Sequence, residues 1–327
     1  MKNFYVKDAS SQLNRQVNSL FLVASKQVRS KKNGEPYLAL TLSDKTGSIQ
    51  AKMWDNVLPV AELFCQDDCV KVQGVIDSFN GRYQIILQQL RRAEESEIDL
   101  SDFVPKTSWD IEEMWYQLEQ FVAKIRNRQI RELLETFLAD DELSKLLHLA
   151  PAAQSLHHAC IGGLLEHVVS LCTLCDLITV RYFWLDRDLL MAGAILHDIG
   201  KIYELTYNRA FQYTIEGSLV GHISIGLAML QQKARAVPGF PGQLLVLLEH
   251  LILSHHGHLE YGSPIEPQFP EAVLLHYLDD IDSKMEAIRA ALEMDPSPNE
   301  PWSERIQSLG RRLLDTRKFL NIALSAN

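Results

Sequence analysis

The sequence predicts a multidomain α+β protein in which a β-rich head precedes an all-α body. Period-two alternation of apolar residues is found in the first 92 residues, and helical periodicity follows from residue 109 onward. The charge balance changes as well. Residues 1–92 carry 13 Lys/Arg against 8 Asp/Glu, whereas residues 93–327 carry 19 against 34. A mildly basic head joined to an acidic body indicates two parts with different tasks.

Length and composition limit the class of protein. The chain has 327 residues, 46% of them hydrophobic and 23% charged, which fits two globular domains and excludes wholesale disorder. A net charge of −10 argues against coating of nucleic acid by bulk attraction. Five cysteines form no disulfide framework, so we expect a reducing, cytoplasmic location. The chain shows no secretory signal and no apolar run near the roughly 20 residues of a membrane span, so we expect no membrane partner.

Five alternating segments make up the head. In the second, Leu38, Leu40 and Leu42 face one side, as in a half-buried strand. Turn residues such as Asn33-Gly34 separate the segments, and residues 56–67 interrupt them with a candidate short helix. The candidate strands are 20–29, 36–44, 48–54, 69–76 and 82–90. Five strands with an insertion after the third predict a small OB-like β-barrel over residues 1–92.

The remainder of the chain is predicted to be helical. Residues 93–108 are acidic and form a candidate linker. Ser108 has the position of a helix N-cap, because Asp110 and Glu112 would then lie in the first turn. We therefore assign residues 93–150 to an acidic linker with a helical connector. Residues 151–327 form an all-α domain in which we expect no strand.

Histidine and aspartate recur through the helical body at intervals of 24 to 33 residues, about one pair of helices each. The positions are His167, His197-Asp198, His222, His255 and Asp279. Imidazole and carboxylate together suit Mn, Fe, Zn or Mg. An adjacent His-Asp pair can place two ligands at one helix end, with the carboxylate bridging two ions. Two ions roughly 3.5–4 Å apart can clamp a phosphodiester and activate a water.

A single histidine in an apolar helix is more often a packing or surface residue than a ligand. The combination is more specific, since GAILHDIGK has a histidine before it, histidines after it and a late aspartate. We therefore predict a metal site. The Cys172-x-x-Cys175 pair lies inside an apolar helix without a second pair, so we interpret it as core packing.

These motifs resemble those of HD-domain metal phosphohydrolases, and more closely those of the YhaM family of 3′→5′ exoribonucleases. The resemblance lies in the segments HHACIGGLLEH, DLLMAGAILHDIGK, EGSLVGHISIG, ILSHHG, YGSP and LHYLDDIDSKM. The head segment NGEPYLALTLSDKTGSIQAKMWD resembles the OB part of that family. The resemblance covers most of the chain and implies an OB-like barrel followed by an HD domain.

The resemblance also implies a ligand set for a pair of divalent ions, with Mn²⁺ as first choice and Fe²⁺, Mg²⁺ or Co²⁺ as alternatives. The implied ligands are His167, His197, Asp198, His222, His255 and Asp279. Asp198 would bridge the ions and act in catalysis. His256 competes with His255 for the ligand position, and Asp282 competes with Asp279. Lys201 would reach a phosphate oxygen, although a solvated lysine at a helix start is an equal alternative.

Two groups of residues are candidates for substrate contact. In the head, Tyr37 and Trp54 lie on polar strand faces near Lys52, and exposed aromatic residues beside basic ones suit single-stranded nucleic acid. The alternative is that Trp54 packs on the linker or on the body. In the body, His157, His158 and His256 could touch substrate near the metals. For His157 and His158, helix capping or packing is an equal alternative.

The resulting functional hypothesis is a metal-dependent 3′→5′ exoribonuclease that hydrolyses single-stranded RNA to nucleoside 5′-monophosphates by a metal-activated water. One alternative is an HD phosphohydrolase acting on nucleotides or cyclic dinucleotides. Another is a non-catalytic RNA-binding protein. The sequence leaves open whether DNA is also cut and whether the chain forms a homo-oligomer.

Overall fold

The structure is a computed structural model, and it describes residues 2–31, 33–79, 81–99, 102–153, 160–206, 212–293, 301–303 and 305–320. The chain divides into two compact units, with the division in the sequence between Lys106 and Thr107. Residues assigned from sequence to the linker and connector are thus shared between the units. Ala93 and Phe103 pack on the outside of the barrel with Leu20, whereas residues from 114 onward join the core of the helical unit.

The first unit is the expected five-stranded OB-like barrel. Its strands are β1 (Gln16–Ser30), β2 (Pro36–Asp44), β3 (Gly47–Met53), β4 (Cys69–Phe79) and β5 (Arg82–Arg92). They close in the order β1-β2-β3-β5-β4, with β3 and β5 parallel and the other pairs antiparallel. The predicted short helix after the third strand is α1 (Val57–Ala61). This is the arrangement of a closed Greek-key barrel.

Alternation along the strands fills the barrel. Leu38, Leu40 and Leu42 point inward and are fully buried, while Tyr37 and Thr41 are partly exposed. Because successive side chains of a strand point to opposite faces, this alternation fixes the register of β2 against both neighbours. The outer face of β2 therefore carries the side chains that alternate with the leucines, among them Tyr37 and Thr41.

The second unit is helical. Its helices are α2 (Ile111–Ala123), α3 (Arg128–Leu138), α4 (Asp141–Leu149), α5 (Gly163–Arg181), α6 (Arg187–Leu196), α7 (Lys201–Glu204), α8 (Ile215–Ala236), α9 (Gly242–Ser254), α10 (Pro270–Glu293) and α11 (Thr316–Phe319). One hydrophobic core joins α2 through α6 and α8 through α10. The helix α6 is buried along its whole length after Arg187, so whatever follows its end is held in the interior.

Two sequence-based expectations about this unit are wrong. The N-cap of α2 is Asp110 rather than Ser108, because the Asp110 carboxylate accepts from the Glu113 backbone N–H at 3.0 Å. The unit also contains a hairpin of two short strands, β6 (Leu205–Thr206) and β7 (Gln212–Tyr213). Two residues per strand are too few to show a period of two in the sequence.

The helix α5 is long and apolar enough to cross a membrane if judged by length and composition alone. Among the described residues it is the helix that meets this test, and 56% of its apolar window is buried inside the protein. A core helix has the same composition, and α5 packs against α2, α6 and α10. We therefore interpret α5 as the central helix of the second unit.

Packing inside the barrel should be measurable as stability. We expect Leu40→Ala to lower the free energy of unfolding by about 2–5 kcal/mol, because the leucine is fully buried and the barrel cannot collapse around the cavity. Ser48→Ala, on the exposed face of β3, should change it by less than about 0.5 kcal/mol. Chemical denaturation of the purified protein measures both, and equal effects of the two substitutions would contradict this account of the core.

Candidate metal centre

The histidine and aspartate residues singled out from sequence meet in one cluster within the helical unit. His167 lies in the second turn of α5, and His197 caps the end of α6 so that Asp198 follows at once. His222 lies on α8, and His255 and His256 follow the end of α9. Asp279 and Asp282 lie one turn apart on α10. Five helices therefore each supply at least one side chain to the cluster.

The first half-site consists of His167, His197 and Asp279. The Nε2 atoms of the two histidines are 3.2 Å apart, and Asp279 Oδ1 lies 3.2 Å from His167 Nε2. One ligand atom from each of the three residues lies within 4.8 Å of the others, which is a spacing that one metal ion can bridge. Two imidazoles with a carboxylate suit a first-row divalent ion.

The second half-site consists of His222, His255 and His256. One nitrogen from each residue lies within 4.8 Å of the others. The sequence left His255 and His256 as competitors for one position, but the structure brings both rings to the same place. Three imidazoles form a second donor set that suits Zn, Cu, Fe or Ni, and addition of a carboxylate oxygen makes it compatible with Mn.

Asp198 lies between the two half-sites. Its Oδ2 atom is 3.3 Å from His197 Nε2, on the side of the first half-site. Its Oδ1 atom is 3.4 Å from His222 Nε2 and 3.6 Å from His255 Nε2, on the side of the second. The side chain is only 4% exposed. This is the geometry expected of a carboxylate that bridges two cations.

Several buried polar atoms of the cluster make no hydrogen bond with any of the described residues. They are Asp198 Oδ1, His222 Nε2, His255 Nε2 and His256 Nδ1. A buried polar atom left without a partner costs about 1–3 kcal/mol, so four such atoms in one place call for an occupant. All four can accept a cation through a lone pair. The donor set of this chain therefore fits divalent metal ions.

The histidine rings are held so that their inner nitrogens face the cluster. His197 Nδ1 donates to the Ala194 carbonyl at 3.0 Å, and His255 Nδ1 donates to the Ile252 carbonyl at 2.7 Å. A ring that donates through Nδ1 presents the lone pair of Nε2 to a metal. His222 Nδ1 lies 3.1 Å from a carboxylate oxygen of Glu204. Glu204 is a residue that the sequence did not single out.

Asp279 and Asp282 occupy opposite sides of His167. Asp279 lies against Nε2, inside the first half-site, whereas Asp282 Oδ2 lies 2.7 Å from Nδ1, behind the ring. Ser170 also donates a hydrogen bond to Asp282. The two carboxylates thus have different positions: Asp279 can ligate an ion, and Asp282 orients the ring that ligates it.

Charges and burial favour the cation-binding forms of Asp198, His255 and His256, whereas His167 is held in its protonated form. Burial would raise the pKa of Asp198, but Lys201 and His197 outweigh it and hold that pKa well below its usual range. Burial lowers the pKa of His255, and burial together with His255 lowers the pKa of His256 to about 3, so both rings are neutral at pH 7. Burial opposes a charged His167, yet hydrogen bonds to Asp279 and Asp282 raise its pKa to about 10. A cation in the first half-site therefore competes with a proton on His167.

Lys201 contacts Asp198 directly. Its Nζ lies 2.6 Å from Asp198 Oδ2, and its side chain is 13% exposed. Burial disfavours the charged form, but the negative charge of Asp198 raises the pKa of Lys201. The alternative of a solvated lysine at a helix start does not describe this side chain. Lys201 is placed to hold the Asp198 carboxylate and to carry a positive charge at its edge.

The barrel carries a cluster of aromatic and basic side chains from β2, from β3 and the residue after it, and from the end of β4; of these, Trp54 and Phe79 are exposed. The rings of Tyr37 and Trp54 stack at 5.0 Å with 28° between their planes, so Trp54 packs on its own barrel. Lys52 Nζ lies 5.2 Å from the Phe79 ring, which is 59% exposed. Sequence reasoning missed Phe79, which lies at the end of β4. His157 and His158 lie outside the described residues.

Comparison with protein families agrees with this division. Residues 23–93 match the family of OB-fold nucleic acid binding domains named for tRNA anticodon binding. Residues 164–284 match the HD domain family. The chain combines an OB-fold domain with an HD domain. The HD domain implies a metal-dependent phosphohydrolase, and together with the OB-fold domain and the His/Asp cluster it supports a hydrolase that acts on nucleic acid.

Similar solved structures include single-strand-binding proteins, all at low identity. The second OB-fold domain of replication protein A from Methanococcus maripaludis is 23% identical, with 26% of this chain and 87% of that chain covered and a TM-score of 0.20. A replication protein A heterotrimer bound to ssDNA is 20% identical, with 24% and 58% covered and a TM-score of 0.21. The single-stranded DNA binding protein of Thermus aquaticus is 15% identical, with 26% and 42% covered and a TM-score of 0.23. The chain thus spans less than two thirds of the last two proteins.

Metal addition should stabilise the HD domain through these ligands. Mn²⁺ at about 100 times its Kd should add about 2.7 kcal/mol of stability per site, which raises Tm by roughly 5–10 °C for a unit of this size. We expect Asp279→Asn to lose most of the shift that comes from the first half-site, because an amide oxygen is a poorer metal ligand than the carboxylate oxygen of Asp279. Asp280→Asn is the matched control, since Asp280 pairs with Lys284. Thermal unfolding with and without Mn²⁺ measures both, and an undiminished shift in Asp279→Asn would remove Asp279 from the ligand set.

Proposed function

We propose that this protein is a metal-dependent 3′→5′ exoribonuclease that degrades single-stranded RNA to nucleoside 5′-monophosphates, as in the YhaM family that its motifs resemble. The observation that carries the proposal is the position of Asp198 between two sets of three ligands. A carboxylate that faces two cation positions suits phosphodiester hydrolysis. The polymeric substrate is inferred from the OB-fold domain on the same chain. RNA as substrate and the direction of degradation come from the resemblance.

The ligand set would hold two divalent ions, for which we propose Mn²⁺. His167, His197 and Asp279 would hold one, and His222, His255 and His256 would hold the other, with Asp198 shared. When bound, paired ions supply positive charge for the phosphate oxygens and lower the pKa of a water. This assignment makes His256 a ligand, whereas the sequence favoured a substrate contact for it.

The protein's own groups prepare the site in three ways. Backbone carbonyls fix His197 and His255, so neither of these rings has to reorient when substrate arrives. Lys201 holds Asp198 Oδ2 and places a positive charge beside the position of a phosphate oxygen. Burial of the ligands lowers the local dielectric constant, which strengthens each of these electrostatic interactions.

The barrel would hold the single strand by stacking. Aromatic rings stack on any base, and each base contributes about 1–3 kcal/mol without regard to sequence. The Tyr37–Trp54 stack and the exposed Phe79 ring beside Lys52 offer such surfaces. Tolerance of sequence is what an enzyme needs if it removes every nucleotide in turn.

The function is tested with end-labelled single-stranded RNA in Mn²⁺ buffer, compared with matched DNA, mononucleotides and cyclic dinucleotides. We expect a ladder that shortens from the 3′ end and nucleoside 5′-monophosphates as product. Asp198→Asn should lower the rate by about 10³-fold, because loss of about 4 kcal/mol of transition-state stabilisation corresponds to that factor. Asp280→Asn serves as the control with unchanged rate.

Other outcomes of this assay identify the alternatives. Activity on small nucleotides alone would indicate a different HD phosphohydrolase. Retention of RNA without hydrolysis of any substrate would indicate a binding protein. Full activity of Asp198→Asn in metal-defined buffer would show that the hydrolysis occurs elsewhere.

The gripping role of the barrel makes a separate prediction. Trp54→Ala removes half of the Tyr37–Trp54 stack, so the Kd for a single-stranded RNA should rise by about 5- to 150-fold, which corresponds to about 1–3 kcal/mol. Hydrolysis of a dinucleotide, too short to need the barrel, should be unchanged. Trp109→Ala, an exposed tryptophan of the helical unit, is the control. Equal losses on the long and short substrates would argue against stacking as the role of Trp54.

A further inference from the structure

The helix that carries His222 is interrupted immediately before that residue. Gly221 has φ 76° and ψ 154°, so two helical segments of α8 meet there. This backbone region is essentially restricted to glycine. The break turns the backbone just ahead of a proposed metal ligand, and it removes the regular helical setting that would otherwise orient the residue.

Glu204 replaces that setting from outside the helix. A single oxygen, Oε1, accepts a hydrogen bond from the His222 backbone N–H at 2.9 Å and lies 3.1 Å from His222 Nδ1. The Glu204 residue is only 7% exposed. One buried acceptor therefore fixes both the backbone at the break and the ring orientation, which leaves His222 Nε2 aimed at Asp198 Oδ1.

Glu204 is held in place by close backbone packing. It ends α7, three residues after Lys201, and α7 lies against α8. A Cβ added to Gly200 would lie 2.0 Å from the His222 carbonyl oxygen, so the two backbones touch only because glycine is there. The distance from Glu204 to His222 is thus set by rigid elements.

The rings of His197, His255 and His167 are oriented by residues outside α7. His197 and His255 donate to carbonyls three residues earlier, so the end of each histidine's own helix orients its ring. His167 is held by Asp282 within the α5–α10 pair. The first half-site therefore stands on supports that do not involve Glu204, whereas the second half-site includes a ligand supported by Glu204.

We propose that Glu204 is a positioning residue that determines whether the second half-site holds its cation. The property required is an acceptor oxygen at this place, which orients His222, and not the negative charge. The inference rests on the proposed function in one respect, that the second half-site binds a divalent ion.

The test is titration of the metal-free full chain with Mn²⁺ by calorimetry, together with the low-temperature EPR spectrum. Wild type should bind two ions and show an exchange-coupled spectrum. Glu204→Ala should bind one ion as wild type does and the second about 10- to 100-fold more weakly, with the spectrum of an isolated ion. Glu204→Gln should keep both ions, because one amide oxygen can accept both hydrogen bonds. Glu216→Ala, on the exposed first turn of α8, should match wild type.

A second variant alters the contact between Glu204 and His222 on the His222 side, by changing the residue before it. Gly221→Ala meets no atom within 4 Å, so its effect comes from backbone conformation and not from a clash. It should also weaken the second ion, and it replaces Glu204→Ala in the test if that variant fails to fold. Thermal unfolding and circular dichroism identify the folded variants.

The other possible results distinguish a failure of the Glu204 role from a failure of the proposed hydrolase. Two tightly bound ions in folded Glu204→Ala, or in folded Gly221→Ala, would overturn the positioning role while leaving the proposed hydrolase intact. Loss of the second ion in Glu204→Gln would overturn the requirement for an acceptor and assign the effect to charge. Absence of Mn²⁺ binding by wild type would instead refute the metal centre itself.

Discussion

A buried carboxylate among imidazoles is the interaction on which this structure depends. Removal of Asp198 from water is costly, and the protein compensates one oxygen with Lys201 while the other makes no hydrogen bond with the described residues. An apolar residue at the same place would often give a more stable fold, so the uncompensated atom indicates a functional role. The packed helices around Asp198 hold the carboxylates and histidine rings of the cluster in place.

Much of the fold could be predicted because it follows from short-range patterns of apolar and polar residues. The inward leucines of β2, Leu38 to Leu42, specify a strand and its faces within five residues, and the apolar run before His197 specifies a buried helix. The spacing of the histidines and aspartates indicated one cluster even though it could not give distances. The spacing is readable from sequence because each ligand lies near the end or on one face of a separate helix, so helix lengths set the intervals.

The features that sequence reasoning missed depend on contacts between distant residues. Glu204 belongs to a helix of four residues, too short for any periodicity, and its importance arises only when α7 packs on α8. Asp110 and Ser108 are both good N-caps, and the choice between them depends on where tertiary packing lets α2 begin. The division of labour between Asp279 and Asp282 likewise follows from the position of one ring, that of His167.

The net charge of residues 1–92, 13 − 8 = +5, overstates the charge that the barrel can offer to a nucleic acid, because Glu97 and Asp102 lie outside that count. Lys45 pairs with Asp102, and Lys71 and Arg91 pair with Glu97. Lys2, Lys31 and Arg92 pair with carboxylates that the count already includes. A cation that already neutralises a carboxylate releases few counterions when a phosphate approaches, so it contributes little to the salt-dependent part of affinity. Pairing with carboxylates does not reduce the contribution of the aromatic rings. In the proposed function, stacking on Tyr37, Trp54 and Phe79 would supply a part of the affinity that does not depend on salt, and a strand held by stacking could slide by one base at similar energy.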